Sequence, residues 1–593
     1  MIEKMKKVTL IVSEKDRESF VMRLRKEGVV HIKHLKMPSS HEVRFIEEKI
    51  SKLERMIADL RPYSDGEIPE KHVHEKEILL WADKIGEISR EKSEIEAAKG
   101  EAARRLEWFN AWGDADPSDL GLFRKKGLYL RFYCLNKNQY GQLPPEARTK
   151  LIKREKGYFY VVFFSTDQAE KLPFDESVPP EESREDLCVT VEKQEKKAAE
   201  LEEILKEKAK RMHSILKCLE KLNKEHESVK VRFGMRQEGV FAYLQGYCPA
   251  RAGDRIRDLA RNHHIGYVIE EPDDPEDTPT LITNPGWIKI ISPVFQFMNT
   301  LPGYKEFDIS FIFLVFFSLF FAMLVGDAGY GMLFLCITFL AQRKLRGIPR
   351  EPVFLMYVLS GATVAWGAVT GTWFGAETIA KLPGFSNIII ESVSSFGQDN
   401  QTFMIYICFV IGVAHLTIAH LMRAVRVINS LMALAEFGWM FILWGMFFLA
   451  GTLVIGRPFP NWGVWLYAAG IPMVLFFTNP GKGILKGAME TLGNLPLSVI
   501  SSFSDIVSYL RLFAVGYASV IVAKSFNGMA MGSGIHGILS GLVAALILFF
   551  GHALNIALAF MAVIVHGVRL NMLEFSGHLG MQWSGKKYEP FKE

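Results

Sequence analysis

Ser504-Asp505-Ile506-Val507-Ser508-Tyr509-Leu510-Arg511-Leu512-Phe513-Ala514-Val515-Gly516 sets an arginine deep inside a long apolar stretch. A guanidinium stays protonated at physiological pH, so it cannot be neutralised to enter hydrocarbon. A fixed positive charge at membrane depth is costly and marks an ion or substrate path. A second arginine, Arg569, lies in the next apolar stretch. The pair predicts an α-helical membrane protein with an ion-translocating region.

Outward from this stretch, apolar runs of roughly 20 residues, the length that crosses a bilayer core, recur after about residue 308. They centre on 309–325, 331–342, 353–374, 403–422, 431–454, 464–477, 496–529 and 535–572. This spacing predicts eight crossings, the second and sixth of them short. Arg343, Lys344, Arg346 and Arg350 follow the second segment, Arg423 and Arg426 the fourth, Lys482 and Lys486 the sixth, and Lys586 and Lys587 the eighth. Every second connection is basic, as cytoplasmic loops are, while 377–400 is mildly acidic. The parity predicts both termini in the cytoplasm, in keeping with a charged N-terminus that lacks a secretory h-region.

The last two segments are each about 35 residues, or roughly 50 Å if helical, against a hydrocarbon layer of ~30 Å. They must tilt, bend or project from the bilayer. A turn near 539–540 would bring Arg511 and Arg569 to similar depth, and an earlier turn would stagger them. Ser504, Ser508 and Arg511 fall at helical spacing on one face, and His552, Asn555, His566 and Arg569 share a face with Ala559 and Ala562. Such a stripe lines a watery passage or contacts another helix. Arg511 has no evident counter-ion on its own helix. Asp505 and, for Arg569, Glu574 lie off-face; Asp327 and Glu436 are further acids in or near apolar segments. The sharper expectation is a carboxylate from another chain.

Residues before about 308 are dense in Glu, Lys and Arg, although the whole chain of 593 residues carries a net charge of only +4. Strand, helix and strand patterns at 7–12, 15–26 and 29–33 return at 239–247, 251–262 and 266–270, so two β-α-β units predict one ferredoxin-like lobe (1–40 and 235–275). Ile46, Ile50, Leu53, Ile57 and Leu60 follow coiled-coil spacing, with Leu201, Leu205, Met212, Ile215, Leu219 and Leu222 on the return path. The spacing predicts an antiparallel coiled-coil arm (41–115 and 181–230) carrying a distal lobe (116–180). Together these form an N-terminal cytoplasmic α+β domain over 1–290, then a linker over 291–308 and a transmembrane domain over 309–593. The six cysteines form no C-x-x-C pair and read as free thiols in a reducing compartment. Mixed charge signs without a sustained basic block predict no nucleic-acid partner.

At these residues the chain resembles subunit a, also called subunit I, of archaeal and bacterial A/V-type rotary ATPases. The likeness rests on Asp505-Ile506-Val507-Ser508-Tyr509-Leu510-Arg511-Leu512, His566-Gly567-Val568-Arg569-Leu570-Asn571, Glu574-Phe575, Gly585-Lys586-Lys587-Tyr588-Glu589-Pro590-Phe591 and Gly326-Asp327-Ala328-Gly329-Tyr330-Gly331. It implies a stator in the cell membrane beside a proteolipid c-ring, with Arg511 facing the ring carboxylate and Arg569 as its companion. It also implies peripheral stalk subunits on the arm and a central-stalk-proximal subunit near the proximal lobe. The ion-path residues would be Arg511, Arg569, His566, Ser508, Ser504, Asn555, His552, Glu574 and Asp505, serving H+ or Na+. Ser519 and Ala559 stand where some relatives carry acidic or histidine side chains, which leaves the outer lining open. No phosphate loop, zinc helix or nucleophile elbow is present, so the chain is expected not to be an enzyme by itself and to need no cofactor or metal. An independent secondary transporter with a regulatory arm, or a membrane-anchored scaffold, are the other readings; no internal repeat supports the first.

Overall fold

The computed structural model describes residues 1–64, 73–144, 146–155, 157–345, 347, 349–383, 387–395, 400–482, 484–532, 534 and 537–592. Arg346 of the basic loop and parts of 377–400 lie outside the described residues. The chain divides into two compact units: Met1–Thr9, Val29–His31 and Gly246–Phe591 form one, and Leu10–Gly28, Ile32–Gln245 and Lys592–Glu593 the other.

The alternation of buried Val8, Leu10 and Val12 makes β1 (Met5–Ser13) a half-buried strand. A helix, Arg17–Glu27, follows and stops at Gly28, whose φ of 63° suits a left-handed cap. Next comes β2 (His31–Lys33). After the arm, β6 (Arg236–Glu238), β7 (Phe241–Pro249), a helix at Gly253–Asn262 and β8 (Gly266–Glu270) complete the pattern. The strand order is β2-β7-β1-β8, with β6 paired to β7.

In the arm, Ser40 caps the helix His41–Leu60 by accepting the Val43 N–H at 3.1 Å. This helix packs on Met212–Gly234, and the long helix Glu75–Trp112 packs on Arg184–Ala209. Ile46, Ile50, Leu53, Met56 and Leu60 are buried against Ile78, Ile85, Leu205, Ile215 and Leu222. The return path is two helices, interrupted at Lys210 and Arg211. At the arm's end, β3 (Tyr129–Asn136), β4 (Thr149–Glu155) and β5 (Tyr158–Ser165) form an antiparallel sheet ordered β3-β5-β4. Phe132 of β3 meets Trp108 and Trp112 edge-on, each at 5.1 Å.

Each of the eight apolar segments is helical. They run Ser310–Val325, Ala328–Lys344, Arg350–Thr370, Gln401–Arg426, Met432–Ala450 with a π turn to Ile455, Gly463–Phe477, Ile484–Ser508 with Leu510–Met531, and Ile538–Ala562 continuing to Leu579. By length and composition among the described residues, five helices can cross a membrane, or six if the first two segments form one span. The count is below the expected eight because the first, second and sixth segments are short helices. The first two segments are short helices bent by 118°. Gly326 ends the first in a left-handed conformation (φ 67°), and the Asp327 side chain starts the second by accepting from Gly329 and Tyr330 N–H. The sixth, Gly463–Phe477, has only 15 residues.

Gly516 lets the seventh segment approach the first: a Cβ there would lie 2.3 Å from the Met323 carbonyl oxygen. That contact sits five residues beyond Arg511, so a small residue fixes the depth at which the arginine's helix packs.

Candidate functional site

The seventh segment breaks at Tyr509. Across the break the backbone tightens to three-residue spacing, Tyr509 N–H donating to Ile506 O (3.2 Å) and Leu512 N–H to Tyr509 O (3.0 Å). Tightened turns leave neighbouring carbonyls without their helical donor. Arg511 Nε donates to one of them, Ser508 O, at 3.0 Å. Tyr509 is fully buried, with its hydroxyl 2.9 Å from His415 Nδ1. His415 in turn stacks between Phe316 (3.8 Å) and Phe575 (4.3 Å). The backbone at Arg511 is thus anchored by aromatic packing, while its side chain stays 24% exposed.

The eighth segment contains two π turns, Val563–Gly567 and Leu570–Phe575. A π turn closes residue i to i+5 and is frequent at functional sites. Arg569 and Glu574 are five apart, off-face on an α-helix but brought together here. Glu574 Oε1 lies 3.6 Å from Arg569 Nε and 2.7 Å from Arg511 Nη2. Arg511 has its counter-ion not on its own helix but on the next segment of the same chain, and the π geometry is why Glu574, read as off-face from Arg569, reaches both arginines. The helices end at Met531 and begin again at Ile538, so 539–540 lie inside the second of them, yet both guanidiniums reach that carboxylate. Glu574 is buried and Arg569 is 54% exposed. Glu574 Oε2, Asn571 Oδ1 and His566 Nδ1 are buried without a hydrogen-bond partner among the described residues.

Ser504 is exposed and Ser508 half-buried. No side-chain hydrogen bond of either occurs among the described residues, and the site takes the Ser508 carbonyl instead. The break at Tyr509 interrupts the helical face expected to align them with Arg511.

Asp505 is not beside Arg511. It accepts from His578 Nε2 at 3.1 Å. His578 Nδ1 meets His420 Nε2 at 3.0 Å, and His420 Nδ1 lies 2.7 Å from Glu436 Oε2. Arg423 Nη2 holds the other Glu436 oxygen at 3.0 Å. Four segments thereby contribute one continuous polar line.

A second polar cluster lies along the other ends of the same two segments. Tyr330 donates to His552 Nδ1 (2.7 Å), and His552 Nε2 donates to Asn527 Oδ1 (3.1 Å). Asn555 donates to Tyr330 Oη (3.1 Å) and to Ser519 O (2.9 Å), and accepts from Ser519 Oγ (3.1 Å). Among the described residues Asp327 forms no ion pair there. Its carboxylate accepts backbone N–H groups of Gly329, Phe374 and Gly375 at 2.8 Å and Tyr330 at 3.3 Å. A cavity of about 30 Å³, bordered by Gly326, Gln401, Leu512, Gly516 and Tyr517, adjoins Arg511's helix and has room for a water molecule.

Six of the expected residues therefore fall into three groups. Arg511, Arg569 and Glu574 form the charged centre; Asp505 joins one polar network; His552 and Asn555 join the other. His566 stays at the centre's edge. Arg423, His420, His578, Tyr330 and Asn527 were not anticipated. Histidines inside an apolar segment, as at His415 and His420, were the available signal.

This geometry defines a polytopic membrane protein with a charged intramembrane centre between two polar networks. The chain is 31% identical over 625 aligned residues to V-type ATP synthase subunit I of Borreliella burgdorferi, covering all of both chains. It is 29% identical over 634 residues to V-type ATP synthase subunit I 1 of Treponema pallidum, again at full coverage of both. To A-type ATP synthase subunit I of Methanocaldococcus jannaschii it is 27% identical over 393 residues, 59% of this chain and 55% of that one. A solved cytoplasmic N-terminal domain of subunit I of V-ATPase aligns with 44% of this chain and 99% of that one, at 15% identity and a TM-score of 0.25. No protein-family model matches. The chain belongs to the V-type ATP synthase subunit I family, and is a membrane-sector subunit of a rotary ATPase.

Proposed function

We propose that this chain is the stator of the rotary machine, forming two ion half-channels against a proteolipid c-ring and tying the membrane sector to peripheral stalks. The observation that carries this reading is the charged centre: a half-buried and an exposed guanidinium share one buried carboxylate, between polar networks at opposite ends of the last two segments. That arrangement leaves one uncompensated positive charge for an acid from outside the chain.

An ion, H+ or Na+, enters through one network and neutralises a ring carboxylate. An ionised carboxylate cannot face lipid cheaply, whereas an ion-loaded one can. Beside fixed guanidinium the ionised form is favoured, so the ion is released into the second network. The same charge repels cations that would pass straight between the half-channels. The membrane potential, about 2.3 kcal/mol per charge per 100 mV, biases the direction.

The domain over 1–290 is cytoplasmic in this reading, its arm bound by peripheral stalk subunits and its proximal lobe beside a central-stalk subunit. Both termini are cytoplasmic, and the chain sits in the cell membrane without ATP chemistry of its own. Purification in mild detergent tests the assembly: a proteolipid ring should co-purify. A clean monomer that transports ions unaided would contradict it.

A further inference from the structure

Resting on the half-channel reading, we propose that Glu574 is a resident counter-charge that sets how tightly Arg511 and Arg569 hold an incoming ring carboxylate, and so how fast they let it go. Glu574 is therefore a positioning and tuning residue, one that carries no ion itself.

The geometry gives the argument. Glu574 is 4% exposed, whereas Arg511 and Arg569 are 24% and 54% exposed. An anion arriving from outside meets the guanidiniums first and the carboxylate behind them. Only Oε1 engages the arginines; Oε2 is buried with no hydrogen-bond partner among the described residues. A buried carboxylate whose second oxygen is unsatisfied is costly to keep, because an unmet buried acceptor loses its solvation. The π turn that brings it there is a second departure from ordinary helix. Both are consistent with a position held for charge rather than for packing.

The charge count follows. Two guanidiniums and one carboxylate leave a single net positive charge. Without Glu574 a ring carboxylate would face two, and each opposite charge within about 4–6 Å favours its ionised form further. Release of the ion would remain easy, but departure and reloading would become slow. The other groups at this centre are His566, near Arg511 and Arg569, Tyr509 beside Arg511, and His415 stacked on Phe575; among the described residues no ion pair brings a second carboxylate to either arginine.

The test uses the intact complex in liposomes, with ATP hydrolysis and ion uptake measured as the ion concentration on the loading side is varied. Glu574→Gln keeps the shape and removes the charge. Turnover should fall roughly tenfold, the ion-to-ATP ratio should hold, and half-maximal loading should need roughly tenfold more ion. Adding Arg569→Gln restores the net charge to one, and the double variant should recover much of the lost turnover. A purely structural glutamate would give additive losses instead. Wild-type turnover and ion dependence in Glu574→Gln, or no recovery in the double variant, would overturn the proposal. If Glu574→Gln fails to assemble, the double variant decides alone, since restored assembly and turnover support the charge balance and their absence rejects it. Arg511→Ala run in parallel separates the two readings. Normal coupling there sinks the half-channel account, while lost coupling there with a silent Glu574→Gln sinks only this one.

Discussion

His420 Nε2 and His578 Nδ1 lie 3.0 Å apart, although 158 residues separate them in the chain. They are the middle of the line Glu436–His420–His578–Asp505, which has three contacts between ring nitrogens and carboxylates or each other. Two neutral imidazoles bring one N–H each, and three contacts need three protons. The line therefore accommodates one extra proton, which can reside at either end. In the proposed account this is a path for protons on one side of Arg511. His420→Gln should cut ATP-driven proton uptake roughly tenfold while the subunit still assembles. Uptake at the wild-type rate would remove this line from the path.

Asp327 acts on stability, not on charge transfer. Its carboxylate ties the start of the second segment to Phe374 and Gly375 after the third, through four backbone N–H groups. Asn at this position offers one acceptor oxygen and turns an NH2 toward a donor. Asp327→Asn should destabilise the purified protein by about 2 kcal/mol or more. A thermal midpoint equal to the parent's would contradict this role.

The C-terminal residues provide a pH test outside the membrane segments. Phe591 N–H donates to Val30 O, Tyr588 Oη to Val29 O, and Glu589 N–H to His31 Nδ1 at 3.1 Å. Burial pushes the His31 imidazole below its ordinary value, against a smaller upward pull from the Glu589 backbone. Neutral histidine is thus favoured in the docked state, and the undocked state binds the proton more readily. The contribution is complete above the undocked value of about 6.5 and is lost as pH falls below it. Hydrogen exchange at Tyr588–Phe591, corrected for intrinsic rate, should lose protection between about pH 7.5 and 5.5. His31→Phe should flatten that dependence, and an unaltered profile in the variant would exclude His31 as its cause.

Period and local charge were readable from the sequence because they belong to neighbouring residues. The apolar runs and the seam residues Ile46, Ile50, Leu53 and Leu60 are where their spacing put them, with Met56 more buried than Ile57. What spacing assumes is an unbroken α-helix. The tightened turn at Tyr509 and the π turn at Leu570–Phe575 both violate it, and both act on the charged centre. Glu574, named as an ion-path residue by resemblance, was therefore placed off the Arg569 face by an angle that the backbone does not adopt. The Gly326-Asp327 break, quoted for its resemblance, turned two expected crossings into one bent pair. Long-range partners such as His420 with His578, or Tyr330 with His552, leave no local signature beyond a polar residue in an apolar run.

The most direct measurement is ATP-driven ion uptake by the reconstituted complex carrying Arg511→Ala, with ATP hydrolysis followed at the same time. The account predicts an assembled complex whose uptake is abolished and whose remaining ATP hydrolysis is no longer coupled to ions. Uptake at the parental rate and ion-to-ATP ratio would contradict it.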